Sequence, residues 1–172
     1  MFRMSSMAAA LCLMAASVTA QGMKPSDPQI AHIAYTAGVI DIEAAKQALA
    51  MSKNAEVRSF AEQMVKDHTA VNDQALALCK KLGVTPLDND TSKGLAQGAA
   101  AKRAELGKLK GAAFDKAYIE NEVAYHKTVN GALENTLIPS AANGELKSLL
   151  QTGLKLFQGH QQHAEMAASK VK

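Results

Sequence analysis

The chain has 172 residues, enough for one hydrophobic core of ordinary size but not for two. Residues of the AVILMFWYC set make up 48% and aromatics only 4%, with no Trp, a mixture too apolar for disorder and too poor in rings for a β-sandwich or barrel. A formal net charge of +3 with no dense Lys/Arg cluster excludes the usual nucleic-acid footprint.

Residues 1–20 read as a secretory signal. Arg3 supplies a positive charge, Met7 to Val18 is apolar, and Val18-Thr19-Ala20 places small residues before a cut at Gln21. The apolar run is shorter than the roughly 20 residues a membrane span needs, so no span is expected after cleavage. A periplasmic or secreted location follows. Residues 21–27 form a short N-terminal segment, and 28–170 a single helical domain. The mature chain keeps one thiol, Cys79, read as a small buried hydrophobe, so the fold must hold without an internal disulfide.

Good helix formers dominate that domain, and its periodicity predicts an all-α protein. Asp27-Pro28 opens a first helix over about 28–52, with Ile33, Ala37, Ile40, Ala44, Ala48 and Met51 on one stripe. Asn54 caps a second helix, which runs through Val57, Phe60, Met64, His68 and Val71 and closes at Gly83. Residues 91–111 hold four Gly and are expected to form a looser crossover helix. A strong helix over about 113–137 is expected to stop at Ile138-Pro139, and Asn143 caps the last one. Two short links and one long crossover give the connectivity of a ferritin-like four-helix bundle.

Titratable residues interrupt the apolar stripes. His68, Glu122 with His126 (i to i+4), and His160 lie on inward faces, and Glu43 lies at the edge of the first stripe. Counted from the helix midpoints, Glu43, His68, His126 and His160 fall within roughly 6 Å of one height. Imidazole and carboxylate are ligands for zinc and other first-row divalent metals, so Glu43, His68, Glu122, His126 and His160 are the candidate metal ligands. A buried His–Glu hydrogen-bond network without metal is the competing reading. A di-iron carboxylate centre is disfavoured, because Val65 and Phe157 stand where Glu-x-x-His motifs would place Glu. The His-rich set, with Met64 and Met166 in sequence nearby, leans toward zinc or copper.

Asp67 is a candidate orienting acceptor for His68, His163 an edge ligand or solvated residue, and His32 an exposed one. No nucleophile signature or phosphate-binding loop is present, so the chain leans toward a non-enzymatic role. The sequence names no protein partner, and it admits a homo-oligomer.

Val57-Arg-Ser-Phe-Ala-Glu-Gln-Met-Val-Lys-Asp-His-Thr69, Ala113-Phe-Asp-Lys-Ala-Tyr118 and Glu145-Leu-Lys147 resemble the family called domain of unknown function 4142 over about residues 28–168. The resemblance implies a bacterial, exported, ferritin-like bundle with no settled activity. It matches Glu43 to the family's helix 1 acid, and Asp67-His68, His126 and His160 to its recurrent His positions. Glu122 falls where relatives often carry Gln, and Lys155 where many carry Pro. The His163-Ala-Glu-Met-Ala167 ending resembles another exported bundle family linked to copper.

Overall fold

The computed structural model describes residues 24–171. The signal expected over residues 1–20 lies outside the described residues. Within them the protein is all-helical, with no strand: α1 (Asp27–Met51), α2 (Ala55–Leu82), α3 (Asp90–Leu106), α4 (Gly111–Ala132), a π-helical turn (Leu133–Leu137), the single turn α5 (Ile138–Ser140) and α6 (Gly144–Lys170). No helix among the described residues is long and apolar enough to cross a membrane.

The helix starts follow the capping residues. Asn54 Oδ1 accepts from the amides of Glu56 (2.9 Å) and Val57 (3.3 Å), and Asn143 Oδ1 from those of Glu145 (2.9 Å) and Leu146 (3.0 Å). Gly83 closes α2 at φ 64°, a backbone that L side chains rarely adopt. At α1, Ser26 rather than Asp27 is the cap residue. Asp27 instead ties the start of α1 to the turn before α6: its carboxylate accepts from the amides of Ala142 (2.9 Å) and Asn143 (2.8 Å). Asp27→Ala leaves both amides without that partner, and thermal melts should show a loss of about 1 kcal/mol.

The expected crossover helix forms, ending at Leu106, and one helix end needs correction. Residues 90–106 form a regular helix despite Gly94 and Gly98, because packing on α1 supplies what intrinsic propensity lacks. Pro139 does not end the fourth helix. The π-helical turn before it widens the backbone, Ile138 N–H bonding back to Leu133, and one further turn forms through Pro139.

Two apolar clusters fill the interior. One gathers Ala44, Ala48, Val57, Phe60, Met64, Phe114, Tyr118, Ala164 and Ala167. The other gathers Ile30, Ile33, Leu133, Leu137, Leu146 and Leu150. On α1, α2, α4 and α6 the buried polar residues other than Asp115 fall in sequence between the two sets, so a polar layer divides the core.

Candidate metal centre

Four helices contribute to that layer: Asp41 from α1, His68 from α2, Glu122 and His126 from α4, and His160 from α6. All five are essentially excluded from solvent, at 0 to 3% exposure. The ring centroids of His68, His126 and His160 lie 5.2 to 5.8 Å apart. One ring nitrogen of each falls within 4.8 Å of the others, and Asp41, Glu122 and His126 form a second such trio. Phe157 stacks on His68 at 4.7 Å and walls that side with an apolar face.

The hydrogen bonds around the layer fix which nitrogens are free. His160 Nε2 lies 3.0 Å from Asp67 Oδ2, and a carboxylate only accepts, so Nε2 carries the proton and the buried Nδ1 is bare. His126 Nδ1 donates to the Glu122 backbone carbonyl at 3.0 Å, which leaves Nε2 bare. That bare nitrogen sits 3.3 Å from Asp41 Oδ2, and His68 Nε2 sits 3.2 Å from the same oxygen. Neither approach has hydrogen-bond alignment, and neither Asp41 oxygen has a hydrogen-bond partner among the described residues.

The electrostatics agree with this assignment. Burial penalises the Asp41 carboxylate, but the surrounding imidazoles of His68, His126 and His160 outweigh it and hold Asp41 below its ordinary range. Burial lowers His126, and it pushes His160 down to about 4, so both rings are neutral at pH 7. Glu122 is raised well above its usual value by burial and by the Asp41 charge. The layer therefore presents the neutral rings of His126 and His160 beside one carboxylate.

The bare His126 nitrogen and the Asp41 oxygen stand 3.3 Å apart with no proton aligned between them, a contact of two electron-rich atoms that a shared cation would stabilise. Two ligands of a tetrahedral ion, each near 2.0–2.1 Å from it, stand about 3.4 Å apart. The Asp41–His68 and Asp41–His126 separations match that edge. The donor set, its bare nitrogens and its orphaned carboxylate thus fit a first-row divalent cation.

The pattern described as "Domain of unknown function (DUF4142)" matches residues 13–167. The chain belongs to this family. No curated protein matches this DUF4142 chain, and no solved structure does.

In this DUF4142 protein His68, Glu122, His126 and His160 meet in the layer, but Glu43 does not. Its carboxylate is exposed and pairs with Arg103 Nη2 at 2.7 Å, on the side of α1 that faces α3. Asp41 takes the place expected of Glu43, and a signal for it was available: Gly38, Asp41, Ala45 and Ala48 step by three and four along a second buried stripe of α1. Asp67 orients His160 rather than His68. His163 is half-buried, lies 3.0 Å from Gln63 Oε1 and packs edge-on to Phe60. His32 is also half-buried, 4.0 Å from Asp88. Met166 is exposed and Met64 belongs to an apolar cluster, while Cys79 is buried as expected.

Proposed function

We propose that the protein is an exported, ferritin-like four-helix bundle that binds one transition-metal ion, zinc or copper in preference to a di-iron pair, through Asp41, His68, His126 and His160. Its role is to hold the ion rather than to turn over a substrate. The observation that carries the reading is Asp41, a fully buried carboxylate with no hydrogen bond and two imidazole nitrogens at 3.2 and 3.3 Å. An isolated buried charge is costly, and coordination removes that cost. Three imidazoles and one carboxylate suit zinc or copper, and the set offers too few carboxylates for two irons. Export rests on the character of residues 1–20 and places the protein in the periplasm or outside the cell.

Elemental analysis of untagged protein after zinc or copper exposure tests the reading. About one ion per chain is expected, falling sharply in His68→Ala and His126→Ala; less than about a tenth of an ion in the wild type overturns it. A metal-free imidazole–carboxylate network predicts a melting temperature indifferent to chelator. A bound ion predicts a loss of roughly 3 kcal/mol when free metal falls from about a hundredfold above Kd to zero.

Asp67→Asn separates an orienting role from a ligand role. His160 Nε2 would lose its anionic acceptor while every proposed ligand stays in place. Titration should show metal affinity weakened by about 10- to 100-fold with stoichiometry unchanged.

A further inference from the structure

A cleft of about 450 Å³ lies between α1, α3 and α4 and is floored by Asp41 and Glu122. Both residues line it, and beneath its surface the two Asp41 oxygens and Glu122 Oε2 are buried and make no hydrogen bond among the described residues. The two residues also belong, with His126, to the second trio of donor atoms within 4.8 Å. His126 is common to this trio and to the imidazole trio behind it.

The cleft's wall on α3 carries Gly94 and Gly98, where a Cβ would meet nothing within 4 Å. They leave that stretch of the wall without side chains. The cations at its rim are neutralised locally, Arg103 by Glu43 at 2.7 Å and Lys102 by Glu105 at 2.6 Å. An approaching cation therefore meets paired charges at the mouth and, one layer below the floor, carboxyl oxygens without hydrogen-bond partners, an arrangement that favours inward movement.

We infer that this cleft is the entry port for the ion, and that Asp41, Glu122 and His126 form a second, transient divalent-cation position from which the ion passes to the imidazole set. The inference rests on the metal-binding reading above. At the outer position the ion is held by two carboxylates and one imidazole. Transfer inward exchanges Glu122 for His68 and His160, while Asp41 and His126 remain bound throughout.

Stopped-flow uptake of cobalt(II) by the metal-free full chain, followed by its visible absorption, tests the port. The double variant Gly94→Leu/Gly98→Leu fills the wall without touching a ligand, and Glu122→Gln removes the outer carboxylate without changing its shape. Each should load about tenfold more slowly or worse, yet reach the wild-type endpoint of about one ion per chain. Wild-type rates in either variant, with full loading, overturn the port. A reduced endpoint in Glu122→Gln also overturns it, because Glu122 would then be a resident ligand. No cobalt in the wild type overturns the metal reading and the port together, so the endpoint separates the two failures.

Discussion

Asp41→Asn should abolish tight metal binding, whereas Glu43→Gln, two residues away on the same helix, should leave equilibrium affinity unchanged. The asparagine keeps the size of Asp41 but loses the charge that faces His68 and His126 at 3.2 and 3.3 Å. The loss should exceed the 10- to 100-fold that removing an outer partner costs, so a shift in Kd beyond about 100-fold is expected. Glu43 is exposed and bound to Arg103, so its substitution disturbs only a surface pair of little energetic weight. Competition titration against a chromophoric chelator reads both. Equal affinities for the two variants would remove Asp41 from the site.

Acidification should destabilise the metal-free protein over a defined window. His160 is lowered from 6.5 to about 4 in the folded chain, chiefly by burial. As pH falls through 6.5 the unfolded chain takes up this proton and the folded chain does not, so stability is lost until pH reaches about 4. Integrated over that window, the loss is about 3 kcal/mol, or roughly 10 °C in melting temperature for a domain of this size. His126 moves in the same direction. Thermal melts of wild type and His160→Gln between pH 7 and pH 4 check this: the variant's profile should be flatter. With metal bound the wild-type dependence should steepen, because protons then compete with the ion for the same nitrogens. A wild-type melting temperature that does not fall over this range would contradict the buried, neutral state of His160.

Much of this architecture is written in local patterns. Asn54, Gly83 and Asn143 mark helix ends through chemistry confined to a few neighbouring residues, and the structure bears all three out. The imidazoles stand out because each interrupts an apolar stripe at helical spacing. Asp41 does not interrupt the stripe through Ile40 and Ala44; it lies about 100° round the helix. That second face is interior because it packs on α2 and α4, where Gly38 meets Asn72 and Asp41 meets His68 and His126. Asp67 shows the same limit. Its nearness to His68 is a fact of one helix, while its hydrogen bond to His160 depends on how α2 meets α6. The order in residues 90–106 likewise comes from a neighbouring helix that intrinsic propensity does not register.

The four proposed ligands come from four separate helices, and no two of them are near each other along the chain. A disordered polypeptide therefore offers the ion little chelation, and a partly assembled one not much more. Metal cannot template this topology; it can reward it only once the distant segments have met. Its stabilising effect should accordingly fall on the rate of coming apart rather than on the rate of assembly.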